Sequence, residues 1–443
     1  MATDALREVE AELATRWPES KIEPSLDRIT ELVELLGSPQ RNFPVIQISG
    51  TNGKTSTARM IDDLLRELGL RTGRFTSPHL ESVTERISLD GEPVDADRFA
   101  AAYRELAPYL DLVDGRHDVR LSYFEVLVAL AYAIFADAPV DVAVVEVGMG
   151  GTWDATNVAY ASVAVVTPVA LDHSDYLGDT IGEIAAEKAG IIKPGGFAVI
   201  GRQPAEAAEV LLARVADVGA SVAVEGRDFG VRDRQLAVGG QQVWLNGLTG
   251  NYDAILLPLH GEHQASNAAD AVAAVEAFVG GGREPLDPEV VQSALGKVTS
   301  PGRLEVLRRG PTVLVDAAHN PAGAGVLAQT VQEEFSFSRL VGVVAVLGDK
   351  DVRGILEELE PVLAAVVVTE NSSPRRLPLA ELTAVAEQVF GDERVTPAHT
   401  LPDAIDAAIA LVEDEAILGG AGVLVTGSVV TAGDARHLMG GGR

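Results

Sequence analysis

Not one cysteine occurs among the 443 residues. That excludes disulfides, thiolate metal sites and cysteine nucleophiles together. Positive charge is scarce as well: 35 Lys and Arg stand against 65 Asp and Glu, a formal charge of −30. A surface that acidic argues against nucleic acid and anionic membranes as partners, since both require a basic face. Small anionic substrates stay open, because they answer to the local field of a cleft. Aromatics are few, at 5%. No apolar run approaches the ~20 residues needed to span a bilayer. The first twenty residues, MATDALREVEAELATRWPES, are charged and lack the apolar core of a signal peptide. These absences predict a water-soluble, cytoplasmic chain with no membrane or nucleic-acid partner.

What is present is a rhythm. Short β-branched runs at Val45–Ser49, Val142–Val147, Ser162–Thr167 and Phe197–Ile200 alternate with Ala/Leu-rich stretches, and a second set follows at Thr312–Val315, Leu340–Val346, Ala364–Thr369 and Val423–Thr426. Nearly continuous apolar character suits strands covered on both faces. Ile61, Leu64, Leu65 and Leu68 mark a helix by their spacing. The pattern predicts an α/β fold with parallel sheets flanked by helices. Between about 219 and 260 the rhythm breaks: Ser221–Val224 and Gln242–Leu245, among Gly-rich turns, read as a small β-meander, followed by an alanine-rich helix over Gln264–Phe278. Gly280–Pro285 and Ser300-Pro301-Gly302 then punctuate the chain. Two domains are expected, 1–297 and 298–443.

Val45–Ser49 runs into Gly50-Thr51-Asn52-Gly53-Lys54-Thr55-Ser56, where the amphipathic helix begins. A strand, a glycine loop, Lys-Thr/Ser and a helix form the recipe for cradling polyphosphate. The glycines let backbone N–H groups and the helix N-terminus point at one anion. Lys54 would reach the terminal phosphates, and Thr55 or Ser56 could ligate Mg²⁺. The spacing departs from the usual phosphate-loop motif, in that Ile48 stands where the first glycine is expected. The plain alternative is a glycine turn with Lys54 solvated.

Glu146 lies near the carboxyl end of a buried strand, where an isolated carboxylate is costly unless paired or bound to metal. Ser77 in Thr76-Ser77-Pro78-His79 and His173 in Asp172-His173-Ser174-Asp175 offer further ligands. A lone histidine is more often structural. Lys188, judged by composition, reads as a solvated helix lysine. Asp316 closes the strand Thr312–Val315, and Asn320-Pro321 suits a helix start. Asp316 and His319 therefore read equally as loop chemistry or as a site.

In order, the chain carries Gly50–Ser56, Ser77–Leu80, Glu85–Ile87, Ser122–Leu127, Val145–Gly148, Trp153–Asn157, Asp172-His173, Glu187–Lys193, Gly261–Gln264, Pro301–Arg303 and Asp316–Pro321. This series resembles the folylpolyglutamate synthase/dihydrofolate synthase family of the Mur-ligase superfamily, over roughly residues 24 to 436. The resemblance implies a P-loop-type ATPase domain with a parallel sheet and a small meander, followed by a smaller Rossmann-like domain that binds glutamate and completes the ATP site on closure. The implied reaction is ATP-dependent addition of L-glutamate to folates, and to dihydropteroate, through an acyl phosphate. Implied cofactors are ATP and Mg²⁺, with room for a monovalent cation such as K⁺. A monomer acting on small molecules is expected.

The resemblance makes Ser77, Glu146, His173 and Lys188 Mg²⁺ ligands, Lys188 as a carbamate, and counts Lys54, His173 and Lys188 as catalytic. It assigns Gly50, Thr51, Asn52, Gly53, Lys54, Thr55, Ser56, Asn267, Arg303, Asp316 and His319 to the nucleotide. Phe124 and Asp154 fall to the folate or dihydropteroate and Arg375 to glutamate, with Arg376 left solvated. The usual family pattern has arginine where Thr152 stands, so one anion or pterin contact is lost and the dihydrofolate synthase activity needs its own test. Two other readings share the phosphate loop: a Mur-type peptidoglycan-precursor ligase and a non-ligase regulatory ATPase. The first normally has a separate nucleotide-sugar domain, for which the ~40 residues ahead of the loop are too few.

Overall fold

In a computed structural model of the chain, the structure describes residues 4–17, 23–413 and 420–441. The polypeptide divides into two compact units. One comprises Met1–Pro258 with Gln264–Val298, and the other Leu259–His263 with Thr299–Arg443. The short segment Leu259–His263 thus goes with the second unit, anchored there through Glu334, which accepts from the Gly261 N–H at 2.8 Å and lies 2.9 Å from His260 Nδ1.

The first unit is built on an eight-stranded sheet. Its order is Glu92–Pro93, Ile87–Leu89, Thr72–Phe75, Val142–Glu146, Val45–Ser49, Ala161–Val166, Phe197–Ile200 and Ser221–Val224. The six strands from Thr72–Phe75 onward pair in parallel. The first two pair antiparallel and make one edge. The central strand Val45–Ser49 is buried at every residue, as its apolar run predicts. Ser221–Val224, expected in the meander, is instead the far edge strand of this sheet, paired with Phe197–Ile200. The helix Ala205–Val218 carries the chain back between them and makes the pairing parallel. The meander itself is Gly230–Ala237, Gly240–Asn246 and Asn251–Leu257.

The second unit holds a six-stranded sheet in the order Glu305–Arg309, Thr312–Val315, Ala421–Thr426, Arg339–Val344, Ala365–Val368 and Val395–Pro397. Five strands are parallel, and Glu305–Arg309 pairs antiparallel at the edge. On one face Leu327, Ile355, Leu359 and Leu382 close over it, and on the other the helices Leu401–Glu413 and Val429–Met439 bury Ala404, Ala408, Ala432 and Ala435. The doubly covered α/β class expected from the strand rhythm is what the chain adopts. Among the described residues no helix is long and apolar enough to cross a membrane.

Candidate active site

In open parallel sheets, ligands collect beyond the carboxyl ends of the strands. In the first unit that edge is where Val45–Ser49 gives way to the glycine loop and the helix Lys54–Glu67. The loop is pressed against its neighbour. A Cβ on Gly50 would fall 1.9 Å from Thr167 Oγ1, and the residue has φ +146°. Thr51 N–H donates to the Pro168 carbonyl at 3.0 Å, while its hydroxyl bonds the Ala170 backbone. The segment leading to His173 is thereby seated beside the loop.

Two lysines converge on one carbonyl. Lys54 Nζ donates to Gly50 O at 3.1 Å and to Thr51 O at 3.0 Å, and Lys188 Nζ donates to Gly50 O at 2.8 Å. Lys188 is 4% exposed, not the solvated helix lysine that composition suggests. Burial, reinforced by the nearby Lys54 charge, lowers its pKa to about 7.

Glu146, at 1% exposure, takes the Thr55 hydroxyl at 2.9 and 3.0 Å and the Ser77 N–H at 3.3 Å. Of the two hydroxyls after Lys54, Thr55 faces this carboxylate. Ser56 is turned inward, where Gln264 Nε2 donates to it at 3.4 Å. Asn267, one turn beyond Gln264, donates to Gln264 Oε1 at 3.1 Å. His173 begins the short helix Ser174–Leu177 with φ +53°, and its Nε2 lies 3.8 Å from Asp172 Oδ1. Sequence reasoning passed over Asp172 as a partner for this imidazole. Its adjacency to His173 was the available signal.

Asp154 is enclosed by its own loop. Met149 N–H donates to Oδ2 at 3.0 Å, Thr156 N–H to Oδ1 at 2.9 Å, and the Thr156 hydroxyl also bonds Oδ1. Burial raises its pKa against these bonds. The residue caps the turn Ala155–Val158 and shapes the loop from within. Phe124 is half-buried, its ring centroid 5.8 Å from that of Phe75. Ser122 caps the helix carrying it, in a reciprocal box with Glu125. The Thr152 side chain bonds the Glu187 carbonyl at 3.1 Å.

In the second unit, Asp316 accepts N–H bonds from Leu304 and Ala318, both at 2.8 Å. Burial raises its pKa and the Arg303 guanidinium opposes the rise. His319 Nδ1 lies 2.9 Å from the Ala317 carbonyl, and Asn320 caps the helix Pro321–Glu334. Arg375 is exposed, 3.5 Å from Asp349. Arg376, expected to be merely solvated, is held by Glu370 at 2.7 Å and by the Ser373 carbonyl at 3.2 Å. The Glu370 carboxylate, close by across the loop, draws it in.

Residues 120–275 match the Mur ligase middle domain, and residues 302–429 match the Mur ligase, glutamate ligase domain. The chain is 56% identical to a dihydrofolate synthase/folylpolyglutamate synthase of Mycobacterium tuberculosis, over 98% of this chain and 94% of that protein. A folylpolyglutamate synthase of Lacticaseibacillus casei is 35% identical, over 94% of each. Among solved structures, Mycobacterium tuberculosis folylpolyglutamate synthase complexed with ADP superposes with a TM-score of 0.95 at 56% identity, covering 99% of this chain and 98% of that one.

Proposed function

The chain belongs to the folylpolyglutamate synthase/dihydrofolate synthase family of Mur ligases, and from that premise we propose that it joins L-glutamate to a folate, and to dihydropteroate, at the expense of ATP. The convergence of Lys54, Lys188, Thr55 and Glu146 around the glycine loop is the observation that carries this reading. Relatives matched over nearly their whole length speak against a peptidoglycan ligase or a regulatory ATPase.

A carboxylate is a poor electrophile, because amide formation would expel oxide. Its oxygen therefore attacks the γ-phosphorus, the bond to ADP breaks, and an acyl phosphate forms. The neutral amine of glutamate adds to the carbonyl carbon, the tetrahedral intermediate expels phosphate, and the amine proton leaves to base. The chain's part is placement and charge. Lys54 and the N-terminus of the helix Lys54–Glu67 would face the transferring phosphoryl group, and Asn267 and Gly50–Ser56 would seat the nucleotide. Arg303, Asp316 and His319 are proposed as further nucleotide contacts. Phe124 offers a face to the pterin, Asp154 shapes the loop beside it, and Arg375 would pair with a glutamate carboxylate.

Mg²⁺ fits the donors present. Glu146, with Thr55 and Ser77 bonded to it, would supply hard oxygen donors, and His173 is proposed as a further ligand, although the described residues hold no preformed cluster of three His, Asp or Glu. Bound there, it would neutralise charge on the phosphates. Lys188 as an ammonium is no ligand. With a pKa near 7 it has a large neutral fraction at physiological pH. The free amine adds to CO₂, an N–C bond forms and a proton is released, leaving a carbamate that can ligate.

The test is product analysis with ATP, Mg²⁺, L-glutamate and either dihydropteroate or a reduced folate. Glutamate-dependent ADP release with both acceptors is expected. Release with neither sinks the ligase reading, and loss of the dihydropteroate reaction alone traces to a missing contact such as the arginine that Thr152 replaces.

A further inference from the structure

Glu146 and Lys188 come from elements far apart in the chain, yet they meet at one loop. The strand Val142–Glu146 leads into Gly148–Trp153, and Lys188 ends the helix Ile181–Lys188. What joins these elements is a small brace. Thr152 donates its N–H to the Glu187 carbonyl at 3.0 Å and its hydroxyl to the same oxygen at 3.1 Å. Gly190 lies so close that a Cβ there would fall 2.2 Å from Thr152 Oγ1. Asn157 spans the two: its Nδ2 donates to the Thr152 carbonyl at 3.0 Å and to the Gly190 carbonyl at 3.4 Å.

Asn157 is only 8% exposed. Both of its N–H bonds are thus spent on linking the loop after Glu146 to the turn after Lys188. A primary amide offers two donors from a single nitrogen without carrying charge. Aspartate, of the same shape, would aim a carboxylate at two carbonyl oxygens. Alanine would leave both carbonyls without that partner.

We infer that Asn157 is a positioning residue that fixes Lys188 relative to Glu146, and so sets the affinity of the metal site those two residues share. This rests on the metal reading proposed above. The glutamate contact proposed at Arg375 lies outside the brace, so L-glutamate is not expected to feel it, whereas the nucleotide seat is tied to Lys188 through the Gly50 carbonyl, and ADP is therefore kept saturating.

The experiment titrates Mn²⁺ into the full-length protein–ADP complex and follows free Mn²⁺ by EPR, for wild type, Asn157→Ala, Asn157→Asp and Glu146→Gln. Thermal melts run in parallel. Asn157→Ala and Asn157→Asp should raise the Mn²⁺ dissociation constant tenfold or more, with the KM for L-glutamate unchanged. Glu146→Gln should do at least as much. Folded Asn157 variants that bind Mn²⁺ like wild type, while Glu146→Gln does not, overturn the brace alone. Unchanged binding in Glu146→Gln overturns the metal reading and the brace with it. Failure of both Asn157 variants to fold, with Asn157→Ser folding and binding Mn²⁺ normally, makes the residue structural and also overturns the inference.

Discussion

The Lys188 ammonium donates to the Gly50 carbonyl at 2.8 Å, which ties a helix end to the opening residue of the phosphate loop. Lys54 donates to the same oxygen. Burial, and then repulsion from the Lys54 charge, lowers the Lys188 pKa to about 7. The contact holds the amine at the loop, where a carbamate would serve as a ligand. Lys188→Ala should abolish glutamate-dependent ADP release, and short carboxylates such as acetate or formate should restore part of it. Activity equal to wild type would end the metal role.

The same group makes stability depend on pH. Below pH 7 lysine is charged in both folded and unfolded chains, and the cost of burying it is fully present. Between the folded value of about 7 and the ordinary 10.5, the unfolded chain binds the extra proton, so the cost fades as pH rises. The slope is about 1.4 kcal/mol per pH unit at most. In CO₂-free buffer, Lys188→Met should therefore gain on wild type most at pH 6 and least at pH 9. Thermal melts at the two pH values read the difference, and a constant gap refutes the shift.

Gly50 sits at φ +146° with Thr167 Oγ1 1.9 Å from where a Cβ would be. Alanine there has neither the backbone freedom nor the space. Gly50→Ala should lower stability by about 1–3 kcal/mol from backbone strain alone. Calorimetry should show at least a tenfold loss of ADP affinity. Gly50→Ala/Thr167→Ala removes the clash but not the strained φ, and should recover only part.

The strand, glycine loop and helix over Val45–Glu67 were legible because all their parts are local: an apolar strand, two glycines, a lysine and an amphipathic helix lie within about two dozen residues. The parallel strands were legible because burial on both faces leaves an apolar run. Thr72–Phe75 was not. It carries Arg74 inside a fully buried strand, tolerated because Asp62 from the preceding helix pairs with it. Such a pair exists only after the helix folds back. Lys188 was hidden for the same reason, since nothing in its own turn of helix says that the Gly50 carbonyl stands opposite. Asn157 lay in a recognised run, Trp153–Asn157, but its two carbonyl partners are separated from each other by nearly forty residues.

The Asp62–Arg74 pair itself is testable. Asp62 is fully buried and Arg74 nearly so, and Arg74 also donates to Ser88 at 3.0 Å. Removing one charge strands the other. Arg74→Met should cost about 3–5 kcal/mol. The half-exposed Arg66, 3.7 Å from Asp62, compensates only in part. Arg74→Met/Asp62→Asn should recover much of that loss in urea melts. An additive double mutant would show that the two charges are not coupled.

Asp270 presents a different case, a buried carboxylate with no counter-charge among the causes that set its pKa. Both its oxygens lack hydrogen-bond partners among the described residues, and Oδ2 would lie 2.6 Å from a Cβ on Gly201. Burial raises its pKa well above the usual carboxylate range, and the nearby Glu225 charge adds to the rise. A raised folded pKa means that the native state keeps a proton the unfolded chain gives up. Stability is fully present below the unfolded value near 3.8 and drains away as pH climbs toward the folded one. Asparagine matches the shape and cannot ionise. Asp270→Asn should melt higher than wild type, by a margin on the order of 1–3 kcal/mol at neutral pH for one unsatisfied buried group. The margin should be smaller at pH 5 than at pH 8, because the wild-type penalty grows with pH. A margin that shrinks as pH rises would mean that the folded protein stabilises the Asp270 carboxylate through a partner.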